Sequence, residues 1–125
     1  MEQKPFSAKV AFTPVAAPNT AVIALQGDIN IAAESQLNAA YTEAEQHGSP
    51  VILLNFSAVN YINSTGIALI VGLLARARKA KRKLVVSGLS PHYQEIFQLT
   101  RLSDFMQIYP DQTTALAAAA DGVAH

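Results

Sequence analysis

The chain contains no cysteine. That absence excludes disulfides, thiolate zinc sites and cysteine nucleophiles together. Charge is sparse too: nine basic and nine acidic residues cancel, so no field of one sign marks out the whole chain for an anionic partner. No apolar run approaches the roughly 18 residues needed to cross a bilayer. The longest, residues 67–75, is short and ends in arginine. No signal peptide opens the chain, and a cytoplasmic soluble protein is expected. Nucleotide fingerprints are missing, both G-x-x-x-x-G-K-[ST] and G-x-G-x-x-G. His47, His92 and His125 stand far apart, as solvated rather than metal-binding histidines. No metal or cofactor is expected.

What is present is apolar. Half of the 125 residues are hydrophobic, which makes one globular domain with its core over about 6–120. Residues 6–15 alternate, with Phe6, Ala8, Val10 and Phe12 on one face, and Pro14 places this strand near a sheet edge. A turn at 17–20 leads to a second strand over 20–26, an antiparallel hairpin that Gly27-Asp28 closes. Asn30 is a candidate N-cap for a helix over 31–46, whose buried stripe takes Ile31, Leu37, Ala40 or Tyr41, and Ala44. Gly48 and Pro50 stop it.

Residues 51–56 are a continuous apolar run, the pattern of a strand buried on both faces. A loop over 57–63 and a helix over 64–80 follow. Residues 83–88 repeat the buried-strand pattern, and Ser90-Pro91 caps and opens another helix. A short strand over 105–109, an alanine-rich helix over 113–120 and a tail over 121–125 complete the chain. The order predicts an α/β fold with a mixed sheet of four to five strands. Right-handed crossovers place the helices mainly on one face.

The junction Asn63-Ser64-Thr65-Gly66 is where this pattern places chemistry: a polar turn between a buried strand and an apolar helix. A serine at a helix N-terminus can cap an amide, help the amides of Thr65, Gly66 and Ile67 hold a phosphate, or accept a phosphate itself. The following helix carries one apolar stripe through Ile67, Ile70, Val71 and Leu74. Leu69 and Leu73 are left over, which suggests a neighbour or a partner on their side. Its first turn has no acid, so an added dianion would meet no like charge. A catalytic role for Ser64 has little behind it, because the turn is not G-x-S-x-G. Nothing in the spacing of His47 or His92 and Asp104 or Asp111 ties them to Ser64. Asp28 and Glu95 lack the acidic neighbour of an acid–base pair. The chain does not read as an enzyme.

Six of the nine basic residues fall between Arg76 and Lys83. Cations at a helix C-terminus complement its dipole, which accounts for the cluster without a ligand. The sharper alternative is a patch for nucleic acid or phospholipid, but no aromatic residues are interleaved.

The stretch from Leu54 to Leu69, LNFSAVNYINSTGIAL, resembles the signature of STAS domains, the bacterial anti-sigma-factor antagonists. That pattern is D-[LF]-S-x-V, then x-[YF]-I-D-S-[ST]-G and an apolar helix. Gly27-Asp28-Ile29 is similar to the family's G-[ED]-[IL] after its second strand, and residues 84–91, 95–102 and 108–111 to its later segments, so the likeness covers about 6–120. Two positions depart: Asn55 and Asn63 stand where the family has aspartate. Asparagine keeps the capping oxygen and removes the charge.

The resemblance implies a single STAS-like domain, residues 1–125, acting in bacterial transcription regulation. A serine kinase of the histidine-kinase-like ATPase fold, itself the anti-sigma factor, would bind the domain and phosphorylate Ser64. A PP2C-type phosphatase would reset it. The implied contact surface is Asp28, Asn63, Ser64, Thr65, Gly66, Ile67, Leu69 and Leu73, with neither nucleic acid binding nor membrane insertion. The alternative within the family is a STAS scaffold or subunit of a transporter, lipid-transport or stress-signalling complex, without phosphorylation.

Overall fold

The structure, a computed structural model, describes residues 5–12 and 20–123. Five strands form one mixed sheet in the spatial order β1-β2-β3-β4-β5. They are β1 (Ser7–Phe12), β2 (Thr20–Ile29), β3 (Val51–Ile62), β4 (Lys83–Ser87) and β5 (Gln107–Tyr109). Strand β1 pairs antiparallel with β2, Ser7 opposite Gln26 and Phe12 opposite Ala21, as the hairpin reading expects. The remaining pairs are parallel. The helices are α1 (Glu34–Gln46), α2 (Ser64–Lys79), α3 (Pro91–Leu99) and α4 (Gln112–Val123). The frayed start, the end of the first strand at 13–15 and most of the expected 17–20 turn lie outside the described residues.

Period-two alternation divides the sheet into two cores. Ile23, Leu25, Ile52, Leu54, Leu84 and Val86 pack on the face covered by Leu37 and Tyr41 of α1, Ile70 and Leu73 of α2, and Phe97 of α3. Val22, Val51, Leu53 and Val85 point the other way and pack with Ala115 of α4. Burial on both faces explains why β3 and β4 read as unbroken apolar runs. Three crossover helices therefore share one face, and among the described residues α4 alone closes the other. It runs to Val123, past the expected end at 120.

Three expectations are corrected. Residues 57–62 are strand, not loop: β3 continues to Ile62 along β2 after its pairing with β4 has ended at Asn55. Two register shifts give β3 two extra residues there, and Asn55 Oδ1 accepts the Ser57 N–H (2.9 Å) at the first shift. β2 likewise runs on to Ile29 instead of closing at Asp28. Ile31 is 63% exposed and not part of the buried stripe. It lies in a 3-10 turn, Ile31–Ala33, which Asn30 caps through Ala32 N–H (2.9 Å), so it is out of phase with α1.

Candidate functional site at the start of helix α2

The ends of β2 and β3 run side by side, Ile29 opposite Ile62, and the chain turns directly into α2. Asn63 is the N-cap: its Oδ1 accepts the Gly66 N–H at 2.8 Å and its carbonyl accepts the Ile67 N–H at 2.9 Å. Asparagine in extended conformation before a helix is suited to this. The Asn63 N–H donates in turn to the Ile29 carbonyl at 3.2 Å. Gly66 then passes so close to Ile29 that a Cβ there would meet the Ile29 carbonyl, lying 2.9 Å from its carbon and from Ile62 Cγ2. Only glycine lets the first turn of α2 sit down on the end of β2.

Tyr93 of α3 fixes the other side. Its hydroxyl accepts the buried Ile62 N–H at 2.9 Å, satisfying a donor that the end of β3 would otherwise leave unmade. Ser90 Oγ caps α3 through Tyr93 N–H at 3.3 Å and so places that ring. Sequence reading did not find Tyr93, because nothing local signals a bond across 31 positions.

Ser64 is the first residue of α2 and is exposed. Because Asn63 does the capping, the Ser64 hydroxyl has no structural duty in the cap. The first-turn amides of Ser64 and Thr65 have no intrahelical acceptor. No acid lies in that first turn. The end of α2 thus presents a hydroxyl on the positive end of a helix dipole. The three amides expected to hold a phosphate are not all available: those of Gly66 and Ile67 are already taken by Asn63.

The remaining expected contact residues divide. Thr65, Ile67, Leu69 and Asn63 are half-buried, and Ile67 and Leu69 pack against the core below. Asp28 is half-buried on β2 opposite Tyr61. Gly66 and Leu73 are buried, Leu73 with 1% exposure, so both are removed from the contact surface. The buried face of α2 is Gly66, Ile70, Leu73, Leu74 and Ala77, while Val71, assigned to the inner stripe, is 43% exposed. Leu73 therefore needs no partner; the sheet covers it. Unforeseen exposed apolar groups near the junction are Ile31 and Tyr61.

Much of the basic run is used internally. Arg76 binds Glu45 and lies 4.5 Å over the Tyr41 ring. Arg82 donates to the Ser49 carbonyl at 2.6 Å and the Glu45 carbonyl at 3.4 Å, tying the end of α1 to the β4 approach. Burial, then the Glu45 carboxylate, pushes the Tyr41 phenol above its ordinary range. The acids that could have partnered Ser64 are engaged elsewhere. Asp104 pairs with Arg101 at 2.6 Å, and Asp111 accepts the Thr114 N–H at 2.7 Å, a bond that holds its carboxyl below the usual range. His47 stacks on Phe12 at 3.7 Å. Among the described residues no cluster could hold a metal ion, and no helix is long and apolar enough to cross a membrane.

Comparison with known proteins agrees with this geometry. The STAS domain family model matches residues 12–115. A Bordetella bronchiseptica protein named as an anti-sigma factor antagonist, BtrV, is 30% identical over 99 residues, 79% of this chain and 83% of its own length. An anti-sigma factor antagonist from Mycobacterium paratuberculosis has the same fold, with a TM-score of 0.78 at 20% identity over 92% of this chain and 94% of that one. So does the Bacillus cell fate determinant SpoIIAA in its phosphorylated form, with a TM-score of 0.65 at 22% identity over 88% and 98% of the two chains. The α/β sheet, the start of α2 capped by Asn63 and these likenesses lead to one assignment: the chain belongs to the STAS-domain family, whose anti-sigma factor antagonists are regulatory proteins and not enzymes.

Proposed function

We propose that this domain is an anti-sigma factor antagonist working by partner switching, with Ser64 as the phosphorylated residue. Unmodified, it binds an anti-sigma factor that is also a serine kinase of the histidine-kinase-like ATPase fold, and so frees a sigma factor. Phosphorylated, it releases that partner until a PP2C-type phosphatase resets it. The observation that carries this reading is the division of labour between Asn63, which caps α2, and Ser64, which is exposed. A phosphate brings about −1.5 to −2 charges. On the positive end of α2, with no acid in the first turn, it leaves the fold undisturbed. Buried beneath a partner, the same charge opposes association by roughly 2–5 kcal/mol, or tens- to thousands-fold in affinity. Regulation then follows from local electrostatics, without a conformational change. Intact-mass measurement after incubation with the cognate kinase and ATP tests it. One phosphate on the native chain and none on Ser64→Ala is expected; no gain, or a gain kept by the variant, contradicts it.

Asn63 in place of the family aspartate favours a second reading, a STAS subunit of a larger complex that is not switched. In that case Ser64→Asp leaves partner binding unchanged in a pull-down.

A further inference from the structure

A second surface lies along the C-terminal half of α2, about 10–21 Å along the helix from Ser64 at 1.5 Å per residue. There Val71, Leu74 and Ala75 of α2 face Phe105 across an open apolar groove of about 260 Å³. Phe105 is 54% exposed and Val71 43%, although both are large apolar side chains. The Arg78 guanidinium lies 4.9 Å over the Phe105 ring. Sharing Leu74, Arg78 and Phe105 with the groove is a second cleft of about 400 Å³, into which Arg82 and Lys83 also contribute. Asp104 lines it too, but its carboxylate is held by Arg101 at 2.6 Å. Arg82 Nε is buried with no hydrogen-bond partner among the described residues, while its other two nitrogens are occupied by backbone carbonyls. The Arg82 head is thus committed inward and out of reach of solvent, and Arg78 and Lys83, both exposed, are the cations of this cleft open to an anionic oxygen.

From this juxtaposition we infer that the α2–Phe105 groove and the adjoining basic cleft dock an acidic, amphipathic segment of a protein partner. A bulky apolar side chain of that segment covers Val71 and Phe105, and its carboxylates reach Arg78 and Lys83. Charge complementarity selects the acid. The apolar half selects a peptide over nucleic acid, and the openness of the groove over a single acyl chain, most of which would stay in water. The surface is separate from Ser64, so the inference does not depend on the phosphorylation reading.

The test is a titration of the isotope-labelled full chain followed by amide and arginine Nε–H resonances. The probe is a synthetic helical peptide with leucines spaced i, i+4 and a Glu–Glu pair one turn further on. Two controls are the same peptide with lysines for the glutamates, and phosphatidylserine vesicles. Saturable shifts are expected at Val71, Phe105 and Arg78 Nε, with the Ser64 amide unmoved. Phe105→Ala and the double variant R78E/K83E, all exposed positions whose change leaves the core intact, should each weaken binding about ten-fold or more. Added salt should weaken it further. No saturable shift, equal binding of the lysine peptide, or binding to the vesicles but not to the acidic peptide would overturn the inference.

Discussion

The Tyr93 hydroxyl accepts a 2.9 Å hydrogen bond from the buried Ile62 N–H, joining α3 to the last residue of β3. Replacing Tyr93 by phenylalanine keeps the ring and removes the acceptor. The stranded amide should cost about 1–3 kcal/mol. The expected result is a lower urea midpoint with an unchanged m-value, and faster hydrogen exchange at Ile62. Exchange that stays as slow as in the native chain would show that another acceptor serves this amide.

Two glycines of α2 should respond in opposite directions to alanine. At Gly66 the new methyl would collide with the Ile29 carbonyl, and backbone on backbone has nowhere to give. Gly66→Ala should therefore be strongly destabilising, by several kcal/mol or to the point of unfolding. At Gly72 a Cβ meets nothing within 4 Å, and alanine should stabilise the helix by up to about 1 kcal/mol. Thermal melts of the two variants side by side check both signs.

Asn63 separates capping from charge. Asn63→Ala loses the acceptor for Gly66 N–H and should cost about 1 kcal/mol. Asn63→Asp keeps the acceptor and adds a negative charge at the positive end of α2, a gain of about 0.3–1 kcal/mol at low salt. With a phosphate on Ser64 that gain should shrink or reverse, because two anions then sit side by side. Denaturation of the four species, with and without phosphate, reads the coupling directly.

The Tyr41 hydroxyl is buried and has no hydrogen-bond partner among the described residues. Its pKa is raised in the fold above the ordinary value of 10.0, first by burial and then by Glu45. A raised acid pKa contributes stability that is complete below the unfolded value and lost as pH climbs through the folded one. The native chain should therefore lose stability above about pH 10. Tyr41→Phe should be flat across that window, and at neutral pH no less stable than the native chain, since it deletes an unpaired polar group and keeps the ring under Arg76. Urea midpoints at neutral and alkaline pH decide it.

The parts of the fold that were legible in sequence are those set by local chemistry. Residues 51–54 and 84–86 are apolar without interruption because both sheet faces are covered, and Asn63 and Ser90 cap because their side chains reach amides three residues on. The failures are equally physical. Residues 57–62 pair with β2 alone and expose Ser57, Asn60 and Tyr61, so they look like a loop. The phase of α2 could not be read from a helix apolar nearly all round. It is set by Gly66 seating on Ile29, which turns Leu73 inward and Val71 outward. The polar junction between β3 and α2 was legible; the bond from Ile62 N–H to the Tyr93 hydroxyl beside it was not, because it spans 31 positions.

The central claim is that a phosphate on Ser64 leaves the fold intact and strongly weakens partner binding. The most direct measurement installs phosphoserine at position 64 during synthesis and titrates that form and the unmodified chain against the cognate anti-sigma factor by calorimetry. Amide spectra of both forms are recorded alongside. The account predicts spectral changes confined to the first turn of α2 and the adjoining ends of β2 and β3, with affinity reduced tens- to thousands-fold. Equal affinity of the two forms, or a phosphorylated chain that has lost its native spectrum, would contradict it.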